Sequence, residues 1–178
     1  MNELIGYAIP IKGLKDGVHK FEYAIDAGFF KEFENPPVAQ ADVKCTLTLD
    51  KKQDIIVLFF DFEGTVDTTC DRCLADIHLP ISGQERLLVK YSETEEASDD
   101  PEILFVHPES SKIDVSGLVY EFICLAIPMV KVYDCELDED PPCNQEMLDY
   151  LDAPNDPDED LPDDNPFSEV LKKINPSK

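Results

Sequence analysis

With 178 residues, 43% of them hydrophobic, the chain has apolar material for one core of ordinary size and too little length for two full domains. Its 39 acidic and 15 basic residues leave a formal charge of −24, a field that repels phosphate backbones, disfavours extensive direct nucleic-acid binding and suits a basic protein as partner. Arg72 and Arg86 are the only arginines, so the clustered guanidinium forks used in phosphate recognition are missing.

The opening MNELIGYAIPIKG has no positive leader ahead of an apolar core and small-residue cleavage site, and no run of about 18 apolar residues follows. The chain is therefore expected in the cytosol and off the membrane. In that compartment its six cysteines are expected as thiols or metal ligands before disulfides. Residues 7–11 and 19–25 have strand character, and residues 27–33 suit a short helix stopped by Asn35-Pro36-Pro37.

From 41 to 50 the chain alternates Val43, Cys45, Leu47 and Leu49 with Lys44, Thr46 and Thr48, the period of a half-buried strand with Cys45 turned inward. After the polar stretch 50–54, Ile56, Leu58, Phe60, Phe62 and Val66 share one face while Asp61, Glu63 and Asp67 take the other, completing a hairpin. A third run returns from a Cys70–Cys73 turn, with Ala75, Ile77, Leu79 and Ile81 inward, and residues 86–91 add a further strand. The reading is an antiparallel meander, followed by an exposed acidic loop at 92–102 and an edge strand at 103–107.

The clearest helix is 115–127: Asp114 caps it, Pro128 ends it, and Val115, Leu118, Val119, Phe122, Ile123 and Ala126 recur at helical spacing. Tyr120, Leu125 and Ile127 widen its apolar surface, so it is expected to be largely buried, with Glu121 facing solvent. Between 132 and 171 the chain is rich in Asp and Glu and has no Lys or Arg. There a weak helix is expected at 145–151 and a flexible linker at 153–164. Asn165 and Pro166 then open a final helix in which Phe167, Val170, Leu171 and Ile174 fall at i, i+3, i+4 and i+7.

These elements predict an α+β fold: an antiparallel, strongly twisted sheet or partly open barrel packed by one main helix, with an acidic C-terminal tail. The expected divisions are a core domain at 1–133, a largely flexible acidic segment at 134–164 and a short amphipathic helix at 165–178.

Catalytic signals are thin. His19, His78 and His107 are scattered over separate strands or their ends, and neither a phosphate loop nor a dinucleotide fingerprint is present. His78, near Cys73, reads as an exposed strand residue. The sharpest chemistry is Cys70-Asp71-Arg72-Cys73. Two thiolates in this spacing form half of a tetrahedral zinc site, and Cys135 with Cys143 supplies a second pair at looser spacing. A redox pair of the thioredoxin type wants its first cysteine at a helix start, which a hairpin tip does not provide. Plain reduced thiols are the bland alternative to structural Zn2+.

Three stretches, GTVDTTCDRCL at 64–74, IDVSGLVYEFICLAIP at 113–128 and NPFSEVLKKI at 165–174, resemble in order and spacing the bacterial YceD family of large ribosomal RNA subunit accumulation proteins. The matching positions are Gly64, Val66, Cys70, Arg72, Cys73 and Leu74, then Ile113, Asp114, Glu121, Leu125, Ala126 and Pro128, then Asn165, Pro166, Phe167 and Leu171. The stretch VKVYDCELDEDPPC departs from the pattern, with two cysteines where relatives often have one or none. The resemblance implies a non-enzymatic factor supporting 23S ribosomal RNA accumulation or processing and large-subunit assembly. A ribosomal protein or an assembly intermediate is the expected partner, direct RNA binding is expected to be weak, and Arg72, Phe167, Val170, Leu171 and Ile174 are candidate contacts. Two other classes remain open: a zinc-dependent or redox enzyme centred on the CxxC turn, and an acidic RNA-mimicking regulator.

Overall fold

A computed structural model describes residues 3–53, 55–93, 100–135 and 138–152. The chain divides into two units, Met1–Asn144 and Gln145–Lys178.

In the first unit a short helical turn, Glu3–Tyr7, leads into β1 (Ala8–Pro10), β2 (Gly17–Ile25) and α1 (Ala27–Lys31). Three long strands follow, β3 (Ala41–Lys51), β4 (Ile56–Thr69) and β5 (Asp76–Tyr91), then β6 (Ile103–Val106), β7 (Lys112–Asp114) and α2 (Ser116–Ala126). The second unit is described over α3, Gln145–Asp152. Strands β2-β3-β4-β5-β6 form an open five-stranded sheet, and β1 pairs with β7 in a separate two-stranded one. The architecture is α+β, as the sequence predicts.

Two features differ from the expected meander. β5 is one continuous strand where the sequence suggested two, because Ser82-Gly83-Gln84 stays in register opposite Glu63, Phe62 and Asp61. Gly83 permits this: the Phe62 ring occupies the space that a Cβ there would need. The sheet is also mixed, since β6 runs parallel to β5 with Leu88 beside Ile103. A parallel neighbour cannot be reached by a tight turn, and β6 lies beside the final residues of β5, Leu88–Tyr91.

The inner face of the sheet holds the core. Val43, Cys45, Leu47 and Leu49 of β3 are buried with Ile56, Leu58, Phe60 and Phe62 of β4, while Lys44, Asp61 and Glu63 point outward. Asp26 starts α1 by accepting from the Gly28 and Phe29 N–H groups at 2.8 and 3.3 Å. Phe29 and Phe30 are thereby driven into the core. α2 packs its Phe122 edge-on to Phe60, ring centres 5.1 Å apart, and stacks Tyr120 on Phe33 at 4.0 Å. Asp114 bonds the first turn of α2 through the Ser116 N–H and hydroxyl, at 2.9 and 2.7 Å. The helix is less buried than its sequence suggests: Val119 and Ile123 face the core, whereas Gly117, Glu121 and Leu125 form a solvent stripe. It covers the sheet from one side only, so an apolar residue on its far side finds nothing to pack against.

Two acidic protons are trapped inside. Burial above all, then the nearby Cys45, Tyr7 and Asp114, pushes the Tyr23 hydroxyl up to about 12, and burial followed by Asp61 pushes the Cys45 thiol up to about 11. Both groups are neutral in the fold and ionise more readily once unfolded. Their stabilising effect is therefore complete below their ordinary values of 9.0 and 10.0 and is lost as pH climbs through the raised ones. The melting temperature should fall steadily above pH 9, and Cys45→Val should make that fall shallower. A Cys45→Val chain with the same alkaline slope as the parent would remove Cys45 as a cause.

Candidate functional site

The end of the β4–β5 hairpin carries the chemistry. There the Cys70 N–H donates to the Ala75 carbonyl at 2.8 Å and the Leu74 N–H returns to the Cys70 carbonyl at 2.9 Å, closing a tight turn. Leu74 closes it with φ +59°, a left-handed backbone unusual for a bulky residue. Both Cys70 and Cys73 are buried at 1% exposure, and Arg72 between them is exposed.

A second segment docks on this turn. The Asp71 N–H donates to the Lys131 carbonyl at 2.7 Å, and the Lys131 N–H donates back to the Asp71 carboxylate at 2.7 Å. Burial pushes the Cys70 thiol up. Backbone N–H bonds from Tyr133, Cys73 and Arg72, with the Cys73 thiol, outweigh it and bring Cys70 below its ordinary value. Amides aimed at a sulfur favour its thiolate, the form that ligates metals and attacks electrophiles.

Two residues beyond Tyr133 the chain reaches Cys135, whose sulfur is joined to that of Cys143. A disulfide stands here where the sequence led us to expect free thiols or metal ligands. The loop is brought round by the Asp140 N–H bonding the Asp138 carboxylate at 3.1 Å, ahead of Pro141 and Pro142. Asp138 in turn accepts from the Tyr133 hydroxyl at 2.5 Å. This bond holds the Asp138 carboxyl below its usual range and the Tyr133 hydroxyl above its own. Cys45, Cys70, Cys73 and Cys124 are free. Cys124 has no such activation, since burial raises its thiol above the ordinary value and outweighs a hydrogen bond with Tyr120.

The structure thus pairs Cys70 with Cys73 and Cys135 with Cys143, and bonds the segment leading to the second pair onto the first. Among the described residues no group of three or more His, Cys, Asp or Glu side chains stands gathered to hold a metal ion. The histidines serve their own surroundings. His78 Nδ1 lies 2.6 Å from the Asp67 carboxylate across the β4–β5 pair, His19 Nε2 lies 2.8 Å from the Lys15 carbonyl, and His107 Nδ1 lies 3.2 Å from the Glu109 nitrogen. The candidate contacts Phe167, Val170, Leu171 and Ile174 lie outside the described residues.

Sequence reading missed the apolar surface around the turn. Leu74, Leu125, Met129, Val130 and Val132 are all exposed large hydrophobic side chains. The available signal was the run Ile127-Pro128-Met129-Val130-Lys131-Val132, apolar yet lacking strand alternation and lying beyond the end of a helix. Among the described residues no helix is long and apolar enough to cross a membrane.

Residues 58–175 match the family described as Large ribosomal RNA subunit accumulation protein YceD. The match begins within β4 and takes in the stretches 64–74, 113–128 and 165–174, so it contains both segments that build the cysteine turn. No curated protein and no solved structure matches the chain.

Proposed function

The chain belongs to the YceD family, whose name implies a role in large-subunit ribosomal RNA accumulation, and from that membership we propose a non-enzymatic factor of large-subunit assembly. In this reading it acts by binding a basic ribosomal protein or an assembly intermediate rather than bare RNA. The observation that carries the mode of action is the charge of −24. Such a field attracts lysine- and arginine-rich proteins over distances of about a Debye length and opposes contact with phosphates. Protection of a basic subunit component before it meets RNA is work for which complementary charge suffices and no catalytic group is required.

The test is sedimentation of a cell lysate through a sucrose gradient, alongside direct titration with purified large-subunit RNA. The chain should travel with large-subunit precursors, and its affinity for naked RNA should be weak and collapse as salt rises. Submicromolar affinity for that RNA at physiological ionic strength, or a chain confined to the top of the gradient, would overturn the reading.

We propose further that, when Cys135 and Cys143 are reduced, they join Cys70 and Cys73 as thiolate ligands of a structural Zn2+. Support comes from the turn itself: Cys70 and Cys73 are both buried in one turn closed by the Cys70 N–H to Ala75 and Leu74 N–H to Cys70 carbonyl bonds, which holds the two thiols together. The Cα atoms of Cys135 and Cys143 are 7.2 Å apart, wider than the roughly 4.4–6.8 Å usual for a disulfide. Two thiolates on one tetrahedral zinc sit about 3.8 Å apart, given Zn–S bonds of about 2.3 Å, and so suit a wider spacing of their backbones. Zinc here would fasten the 131–143 segment to the hairpin, with no role in turnover.

A further inference from the structure

We propose that the surface formed by the Cys70–Cys73 turn and the chain following α2 is a docking site for a basic, apolar-anchored segment of another protein. The proposal rests on the assembly-factor reading and names the surface and the partner chemistry that it uses. Exposed hydrophobic residues scattered singly carry no message, but a contiguous group does. Here Leu125, in the last turn of α2, is 73% exposed, and Met129 and Val130, just beyond that helix, are 98% and 68% exposed. The two Asp71–Lys131 bonds fix this strip against the hairpin turn. Leu74, 58% exposed, is held in that turn by a left-handed backbone. A leucine kept in an unfavourable conformation with its side chain in water serves no packing purpose of the monomer.

Charge selects the occupant. Around the apolar strip stand the exposed acids Asp71, Asp76 and Glu121, and Asp138 is tied in through Tyr133, against Arg72 and Lys131. A phosphate backbone or an anionic lipid surface is repelled by this rim, and a second copy brings the same charge of −24. The chain's own 165–174 segment is apolar enough, but it arrives through the acids of 156–164. A segment with lysines or arginines beside leucine-like anchors satisfies both the rim and the strip.

The probes are two fluorescent peptides of equal positive charge, titrated against the full chain by anisotropy. One places leucines at i, i+3, i+4 and i+7 among lysines, and in the other those leucines are serines. The leucine peptide should bind about tenfold or more tightly than its serine partner, since the apolar anchors carry most of the affinity. The triple substitution Leu125→Ser, Met129→Ser, Val130→Ser should abolish that preference at unchanged melting temperature, and Glu121→Lys should weaken both peptides together. Equal binding of the two peptides, or a preference that survives the triple substitution, overturns the proposal. So does a dimer of the parent chain that the triple substitution dissolves, which assigns the strip to a second copy. A rise of about tenfold in peptide affinity on Phe167→Ala with Leu171→Ala also overturns it, by assigning the strip to the chain's own terminus. The gradient experiment keeps the two levels apart. A parent chain that travels with precursors yet ignores the leucines refutes this surface alone, whereas one that never enters the precursor fractions refutes the assembly reading itself.

Discussion

Gly64→Ala is expected to destabilise the chain by about 3 kcal/mol or more, among the larger effects open to a single added methyl group. Gly64 sits inside β4, paired with Val43 on one side and Ile81 on the other. A Cβ built there meets the Asp42 carbonyl oxygen and comes within 2.6 Å of the Val43 Cα. Both are backbone atoms of β3, which is itself hydrogen-bonded on its far side to β2. Neither can retreat without disturbing two ladders at once. Gly83 offers the contrast, because there the added atom meets the ring of Phe62, a side chain that can shift without breaking a strand ladder, though it is itself buried. Gly83→Ala should therefore cost about 1–2 kcal/mol. Urea unfolding of both variants measures the difference. A Gly64→Ala chain within about 1 kcal/mol of the parent would show that β3 yields at this point. The prediction also gives a physical reason for glycine at the head of the GTVDTTCDRCL stretch: the backbone of a neighbouring strand passes too close for anything larger.

Most of the sheet was legible because its signal is local. The alternation in 41–50 and 56–66 places each side chain on the correct face, so Cys45, Phe60 and Phe62 were readable as core and Lys44, Asp61 and Glu63 as surface. What periodicity cannot express is which strand lies beside which. The parallel docking of β6 against Leu88–Tyr91 and the pairing of β1 with β7 join residues that are far apart in the chain. β7 is also only Lys112–Asp114, too short for alternation to register. Likewise, the burial of α2 was overstated because nine of its eleven residues, SGLVYEFICLA, are not charged or glycine, whereas exposure is decided by what stands opposite. Leu125 and Glu121 share a face with no partner in the fold.

The cysteine turn shows the same division. Its spacing announced paired thiols, and Cys70 and Cys73 do stand together in a closed turn. The bond from Asp71 to Lys131 and the amide from Tyr133 span some sixty residues of sequence, and no local pattern anticipates them. The exposed strip at 125–132 was hidden for a related reason. Its residues continue the apolar character of α2, and Pro128 and the bend after it carry Met129, Val130 and Val132 outward.

Cys73→Ser should separate a zinc-fastened turn from a plain thiol turn through the size and the company of its effect. If the four thiolates hold zinc, losing one ligand removes a metal whose binding in small structural sites is worth about 10–16 kcal/mol near neutral pH. Only a part of that will appear in global stability, because the sheet retains its own core of Val43, Leu47, Phe60 and their neighbours. The rest appears as local opening. The bonds from Asp71 to Lys131 and from Cys70 to Tyr133 should lose hydrogen-exchange protection together, the metal should leave in the same step, and a chelator should reproduce both effects in the parent chain. Without zinc the substitution exchanges one small buried sulfur for a hydroxyl and costs about 1–3 kcal/mol if the hydroxyl is left without a partner. Purified under reducing conditions, the parent chain should carry one zinc per molecule and the Cys73→Ser chain none. A reduced parent chain free of zinc, whose exchange at Lys131 and Tyr133 is untouched by chelator, leaves the turn held by its amides and the Asp71 carboxylate alone.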